Sequence, residues 1–572
     1  MRPLDWVVLV GSLASIIAYG LYRGRGSNTV DRYLLAGKSM PWYAMALSIM
    51  ATQASAITFI STTGQSYVDG MRFVQFYFGM PLAMVALSAT AVPIFHRAKV
   101  YTAYEYLENR FDAKTRALAS VIFLMQRGLS VGLTFYAPAI VLSIIFGWPD
   151  RLTTLIIGIT VVLYTVTGGI RTVTWTDVQQ MLIIFFGLVV ALVMIVLLLP
   201  RQVSFLDAMH LAGSAGKLNA VNFHFDWNDR YNVWSGLIGG MFLALSYFGC
   251  DQSQVQRYLT GKSIAQSKLS LLFTAMAKIP MQFFILFIGA MVFVFYLFIQ
   301  PPLLFQHTEL ARIAGRGDYP AIAESYRRGV DDRRQATLAL VDAHHKGDTA
   351  AVEREIAQYH AAQKQIDQAR TEAAHMVTSS GGEKDFSDTN YIFLSFVTKY
   401  LPAGIVGLVI AVIFAATMSA SSGEINSLAT VTVVDIYRRI RPGASDHHYV
   451  AASRLATLFW GAYAVLFAGW GKHLGSLIVA VNVVGSLFYG SLLGCFVLAF
   501  GFRRVGGTAT FVGMLAGEVA IFWAFLFTGI SWLWYNVIGC VVVVGTALAI
   551  TYLAPANGVS AESARERTPE PG

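Results

Sequence analysis

Apolar segments of about twenty residues, each long enough for a helix that crosses a bilayer, recur along this 572-residue chain and constrain its fold. Only 13% of the residues are charged and the mean hydropathy is +0.55, well above that of soluble globular proteins. The sequence therefore predicts an all-α membrane protein whose surroundings are the lipid bilayer. It excludes soluble classes of protein, and we expect no nucleic-acid partner.

We predict thirteen transmembrane helices from the positions of these segments. They cover residues 4–22, 42–69, 72–95, 117–147, 151–169, 175–199, 232–258, 267–299, 392–437, 449–469, 473–502, 508–528 and 531–553. The basic residues of the first segment follow it, so we interpret it as a retained helix and not a signal peptide.

The distribution of basic residues predicts the orientation of these helices. With the N-terminus outside, and with residues at the span borders included, the inner loops hold 18 Lys and Arg. The outer loops hold seven when residues 300–390 are omitted. Because Lys and Arg concentrate on the cytoplasmic side, we expect a multi-pass protein of an inner or plasma membrane with its C-terminus inside. The net charge of +9 is then explained by the basic residues of the cytoplasmic loops.

One long polar insert interrupts the membrane segments. Residues 301–390 carry 25 of the 75 charged residues and must lie outside the bilayer, on the external face. Their apolar residues fall on helical stripes on either side of Gly347, which predicts a helical hairpin. The tail, 557–572, is polar, and we expect it to be disordered.

Two predicted spans carry polar residues in their middle. The second has Thr52, Gln53, Ser55 and Thr58, and the seventh reads GCDQSQVQ from Gly249. Paired interruptions in two halves of a membrane protein are typical of a transporter's midplane site, where unwound backbone lines a cavity. We predict two sets of five helices, 42–199 and 232–503, each opening with a broken helix. Residues 1–41 precede them as an extra helix and a cytoplasmic loop, and two C-terminal helices in 504–556 follow.

A third polar stretch, Ala415–Tyr437, combines small and hydroxyl residues with one acid, Glu424. Polar groups at membrane depth usually face a bundle interior or an ion path, so this stretch is a candidate wall of a cation site. Close helix packing through small residues is the alternative interpretation.

Several sequence motifs resemble those of the sodium:solute symporter family. They are YTAYEYLENRF (101–111), YAPAIVL (136–142), GGIRTVTWTDVQQ (168–180), DQSQVQRYL (251–259) and SASSGEINSLATVTVVDIYRR (419–439). The seventh-span motif looks most like the iodide, monocarboxylate and multivitamin branch. The resemblance implies thirteen transmembrane helices with a LeuT-type five-plus-five inverted repeat, which matches the prediction above.

The resemblance also implies a sodium ion as the coupling ion. Matching positions of its main site are Ala51, Ala54, Ala416 and Ser419, and oxygen ligands of this kind suit a hard cation. The family commonly has a second hydroxyl residue where this chain has Ala420, which leaves the site one ligand short.

A second sodium route is implied by the match of Asp177, with Ser422 and Ser419 as partners. A helix-capping Asp177 is the alternative. For Glu424 we weigh ion or proton coupling against an acid that faces cytoplasmic water or pairs with a basic residue.

We choose candidate solute-binding residues partly from the resemblance and partly from their position at membrane depth within a predicted span. They are Gln53, Thr58, Asp251, Gln252, Lys278 and Asn482. Lys278 is an isolated cation in a span and needs a partner or a ligand. It could hold a carboxylate, donate to sugar hydroxyls, or pair with Asp251.

We therefore expect a sodium-coupled symporter that imports a small polar solute, such as a sugar or a carboxylate, by alternating access. A solute sensor on the same fold and a proton-coupled symporter are the alternatives. No catalytic constellation is present in the sequence, so we expect no enzyme activity. The small-molecule solute and the bilayer are the expected partners, and the sequence gives no oligomeric state.

Overall fold

The computed structural model of the protein describes residues 2–23, 29–146, 150–381, 386–468 and 477–553. Within these ranges the chain is helical, with one isolated parallel bridge between Met40 and Gly261. In the described residues, ten helical segments are long and apolar enough to cross a membrane. The expectation of an all-α multi-pass membrane protein is thus confirmed. The predicted disordered tail, 557–572, lies outside the described residues.

The α-helices, in chain order, are α1 (Pro3–Arg23), α2 (Val30–Leu35), α3 (Trp42–Gln53), α4 (Ala56–Asp69), α5 (Met80–Ala89), α6 (Ala91–Ala98), α7 (Ala103–Arg110), α8 (Ala113–Phe146), α9 (Asp150–Leu197), α10 (Phe205–Ser214), α11 (Gly240–Gly249), α12 (Gln252–Leu259), α13 (Ile264–Phe298), α14 (His307–Ile313), α15 (Tyr319–Lys346), α16 (Thr349–Ser379), α17 (Thr389–Tyr400), α18 (Ile405–Val431), α19 (Arg438–Ile440), α20 (Asp446–Ala468), α21 (Leu477–Gly501), α22 (Gly507–Phe527) and α23 (Leu533–Leu553).

The two predicted breaks are confirmed. The helix formed by α3 ends at Gln53, Ala54 takes φ −86° and ψ 57°, and α4 begins two residues later. In the second, α11 ends at Gly249, and the side chain of Asp251 caps α12 by accepting from Ser253 N. Asp251 thus satisfies a free backbone N–H at the start of α12, whereas Ser55, in the same place before α4, makes no side-chain cap hydrogen bond.

A third interruption lies inside α9, which contains the predicted fifth and sixth spans. Gly169 has φ 57° and ψ −159°, a backbone conformation that L side chains rarely adopt. A Cβ placed there would lie 2.3 Å from the carbonyl oxygen of Tyr33. Glycine is thus required at this bend both for its conformation and for the close approach of α2.

The predicted hairpin is also confirmed, as α15 and α16 joined at Gly347, which adopts the left-handed conformation. On α16, Tyr359, Ile366 and Met376 are buried. Ile366 and Met376 share a hydrophobic cluster with Tyr326 and Val330 of α15. Arg333 attaches the hairpin to α13: its Nη2 donates to Tyr296 O at 2.8 Å and its Nη1 to Gln363 Oε1 at 2.8 Å.

We expect Arg333→Ala to loosen the hairpin, because a buried charged donor contributes about 1.5–3 kcal/mol through its hydrogen bonds. Limited proteolysis should cleave α15 or α16 faster than in the parent protein, and the thermal unfolding midpoint should fall. The matched control is Arg327→Ala on the same helix. The Arg327 side chain is 54% exposed and pairs with Glu324 at the surface, so it contributes little to stability. Equal proteolysis rates in the two variants would contradict the attachment.

Candidate functional site

A cavity of about 130 Å³ lies between the two broken helices and α8, α18 and α21. Polar and aromatic side chains dominate its wall. They include Thr52, Gln53, Ser55, Thr58, Tyr77, Gln126, Arg127, Ser130, Thr134, Tyr247, Glu424, Asn482 and Tyr489. Of the predicted residues, Gln53, Thr58, Glu424 and Asn482 thus meet at one cavity, although the first two are hundreds of residues from the last two in the chain.

Arg127 of α8 is the centre of the charged wall of this cavity. Its Nη1 donates to Glu424 Oε1 at 2.8 Å, and its Nη2 donates to Asp251. Tyr489 joins the same cluster, because Arg127 Nη2 lies 2.7 Å from its hydroxyl, which donates to Asp251 Oδ2 at 2.8 Å. Asp251 and Arg127 are almost completely buried. The cluster therefore ties the break between α11 and α12 to α8, α18 and α21.

Lys278 and Asp251, a pair that the sequence left open, do not form an ion pair, because Asp251 pairs with Arg127. Lys278 is fully buried on α13, and its Nζ lies 5.7 Å from the ring centroid of Tyr77, a cavity-lining residue. That distance suits a cation–π interaction. Lys278 Nζ has no hydrogen-bond partner within the described ranges.

Three other predicted residues make contacts within the protein. Gln252 accepts from Ala103 N at 3.0 Å and donates to Tyr101 O at 2.9 Å, which fixes α12 against α7. Thr58 donates to Gln53 O at 2.9 Å across the break between α3 and α4. Asn482 donates to Ile478 O of its own helix at 2.7 Å. The Gln252 side chain thus spends its hydrogen bonds on backbone groups, whereas Thr58 and Asn482 line the cavity.

A second buried charge cluster surrounds Asp177 of α9. Its Oδ2 accepts from Ser48 at 2.5 Å and its Oδ1 accepts from Ser419 at 2.6 Å. Arg257 of α12 lies 3.2 Å from the same carboxylate and also donates to Ser48 Oγ at 2.9 Å. These contacts join α3, α9, α12 and α18 through charge-assisted hydrogen bonds, which are the strong ones.

The residues matched to the two sodium sites lie around this cluster. Ala51 and Ala54 are buried at the end of α3, and Ala416 and Ser419 are buried on α18, which packs against α3. Ser422 donates to Ser419 O at 3.1 Å. A Cβ on Gly423 would lie 2.1 Å from Arg257 Nη2, so the guanidinium occupies the space beside α18 where a further side chain would project.

Sequence reasoning missed Arg127, Arg257 and Ser48. Arg127 is an isolated cation within an apolar segment, the same signal that singled out Lys278, whereas Arg257 lies in the polar motif DQSQVQRYL at the end of the predicted seventh span. Ser48 carries no comparable signal, because a single serine in a helix is common and its role depends on the approach of α9 and α12.

Comparisons with known proteins support the interpretation of the chain as a transporter. Residues 33–308 and 373–517, more than half of the chain, match the model of the sodium:solute symporter family. The unmatched stretch, 309–372, covers most of the hairpin.

Similar curated proteins include the rabbit sodium-dependent multivitamin transporter, 27% identical over 91% of this chain and 70% of its own length. The sodium/sialic acid symporter of Proteus mirabilis is 26% identical over 97% of both chains. Human sodium-coupled monocarboxylate transporter 1 is 26% identical over 91% of this chain and 72% of its own length. A solved outward-open, substrate-bound Na⁺-coupled sialic acid symporter superposes with a TM-score of 0.74 at 24% identity, covering 96% of this chain and 98% of that one.

The contacts of Ser419 and Ser422 generate a paired prediction. Ser419→Ala removes a hydroxyl that donates to Asp177, whereas Ser422→Ala removes one that donates within its own helix. We expect the sodium concentration for half-maximal thermal stabilisation of the purified protein to rise about tenfold in Ser419→Ala, equivalent to ~1.4 kcal/mol. Ser422→Ala should change it less, with potassium chloride as the ionic-strength control. An unchanged value in Ser419→Ala would contradict a role for this hydroxyl.

Proposed function

Because this chain belongs to the sodium:solute symporter family, we propose that sodium bound between α3 and α18 drives import of a small polar solute through the cavity. The chain is a sodium-coupled symporter and not an enzyme. The observation that carries the site-level proposal is the convergence of both broken helices with α18 on one cavity that has polar and charged residues in its wall.

Sodium is proposed to bind the backbone oxygens of Ala51, Ala54 and Ala416 and the hydroxyl of Ser419. The interrupted end of α3 supports this, since unwound backbone at membrane depth offers carbonyl oxygens to an ion. Ala420 lines the cavity and supplies no oxygen ligand from its side chain.

Asp177, with Ser419 and Ser422, is proposed as a second sodium route on the same helix. Arg257 is the cation that a sodium ion there would compete with, because its guanidinium already neutralises the Asp177 carboxylate. Sodium entry would therefore require Arg257 to move or to share the carboxylate. This makes the Asp177 cluster a candidate coupling point between α9, α12 and α18.

The solute is proposed to bind in the cavity among Gln53, Thr58, Asn482 and Glu424. Asp251 would act through Arg127, and Lys278 through Tyr77, while Gln252 would hold the position of α12. Coupling follows if sodium and solute favour the same conformation, because their binding free energies are then reciprocally linked.

A thirteen-helix, five-plus-five arrangement is the proposed topology. The membrane-length segment Ala56–Ala98 covers parts of the second and third predicted spans. Two shorter apolar helices, Leu152–Leu163 and Ser235–Gly249, coincide with the fifth and seventh. The repeats would be 42–199 and 232–503, with the N-terminus and the 301–390 insert outside the cell, and two further helices in 504–556.

Cysteine labelling tests this orientation. The three native cysteines are buried, so background labelling should be low. Lys346→Cys lies on the exposed hairpin tip, and Arg441→Cys lies on the exposed segment after α19. We expect a membrane-impermeant maleimide to label Lys346→Cys in intact cells and Arg441→Cys only after permeabilisation. The reverse pattern would overturn the orientation.

Transport itself is tested with the full chain in proteoliposomes. We expect an imposed inward sodium gradient to drive accumulation of at least one solute from a panel of sugars, carboxylates and amino acids. Replacing sodium by potassium should abolish that accumulation. Accumulation with a proton gradient alone would instead indicate proton coupling, and binding without flux under either gradient would indicate a sensor.

A further inference from the structure

The charged wall of the cavity carries two unpaired atoms. Glu424 Oε2 and Arg127 Nε are buried and have no hydrogen-bond partner among the described residues. The Thr134 hydroxyl, which donates to Ser130 O at 3.2 Å, also lies within hydrogen-bonding reach of the Glu424 carboxylate. Buried polar atoms are nearly always paired in folded proteins, so the unpaired atoms of two residues that line a cavity are candidates for ligand contacts.

These atoms present opposite charges side by side. Glu424 Oε2 is an anionic acceptor and Arg127 Nε is a cationic donor, and the two side chains already touch through the 2.8 Å contact between Nη1 and Oε1. Gln126 adds a neutral unpaired acceptor, Oε1, from a residue that is 1% exposed and also lines the cavity. Gln53 Oε1 is a further unpaired acceptor of a lining residue, so the wall offers one cationic donor and three acceptors.

Charge balance separates the candidate solutes. Arg127 faces two carboxylates, Asp251 and Glu424, so the cluster has an excess of one negative charge when all three are ionised. A monoanion would add to that excess in a medium where charges are weakly screened.

A solute with both a carboxylate and an ammonium group avoids this penalty. Its ammonium would bind Glu424 Oε2, where the excess negative charge lies, and its carboxylate would bind Arg127 Nε. No net charge is added, and both unpaired atoms gain a charge-assisted hydrogen bond, which is stronger than a neutral one. A neutral polyol could reach the acceptors but would leave the excess charge uncompensated.

We propose that the transported solute is a zwitterion of the amino-acid class, whose ammonium carries N–H donors, held across Arg127 and Glu424. The proposal rests on the proposed function, since it takes this cavity as the transport site. It assigns to Glu424 a specificity role: this carboxylate selects an ammonium group.

Matched pairs of solutes test the proposal directly. The probes are the common amino acids and the 2-hydroxy acids with the same side chains, such as alanine with lactate and phenylalanine with phenyllactate. Each pair differs by an ammonium in place of a hydroxyl. In sodium chloride, we expect at least one amino acid to raise the unfolding midpoint of the purified protein. Its hydroxy-acid counterpart should bind about tenfold more weakly or not at all, a difference of ~1.4 kcal/mol.

Glu424→Gln retains the shape of the side chain and removes its charge, so it should reduce the preference for the amino acid over its hydroxy acid. The matched control is Glu518→Gln, which changes a glutamate of α22 that accepts from Ser491 and does not line the cavity. Sodium-dependent stabilisation of both variants serves as the check of folding. An unchanged preference in Glu424→Gln would overturn the assignment.

Transport measurements separate this proposal from the function on which it rests. Sodium-driven uptake of a hydroxy acid or a sugar in preference to every zwitterion would overturn the zwitterion proposal and retain sodium symport. No stabilisation by any zwitterion of the panel would also overturn it. Absence of sodium-driven flux for the whole panel would count against the proposed function itself.

Discussion

The need to compensate charges buried at membrane depth governs the arrangement of this protein. Two arginines carry that compensation: Arg127 pairs with Asp251 and Glu424, and Arg257 pairs with Asp177. Each carboxylate belongs to a different helix from its arginine, so neither cluster can form until several helices are packed. An ion pair that loses one member leaves an uncompensated buried charge, which is strongly destabilising. The two clusters therefore hold the broken helices against α8, α9 and α18.

The clusters also connect binding to conformational change. Both contain a residue of α12 or of the break before it, and both contain a residue of α18. An ion that arrives at Asp177 and a solute that arrives at Arg127 would thus act on the same pair of helices. In a symporter, such shared elements are where two ligands can favour one conformation, which is the thermodynamic requirement for coupling.

The hairpin α15–α16 is a separate addition to this core. The family model does not match residues 309–372, yet the hairpin is attached by the buried guanidinium of Arg333 and by Arg370, which contacts both oxygens of Asp388. A hairpin attached to the rest of the protein only by exposed ion pairs would be loosely held, because such pairs contribute little to stability. Its buried attachments make it a fixed part of the fold.

Long apolar runs and polar interruptions are local signals, so the helical membrane class, the hairpin and both helix breaks could be predicted from the sequence alone. The sequence also singled out Asp251, Glu424 and Asp177 as candidate site residues. The partners of these carboxylates depend on tertiary packing. Arg127 lies 297 residues from Glu424 and 124 from Asp251 in the chain, so their pairing depends on how α8, α12 and α18 pack. For the same reason the sequence left Lys278 open as a partner of Asp251, a place that Arg127 takes in the folded protein.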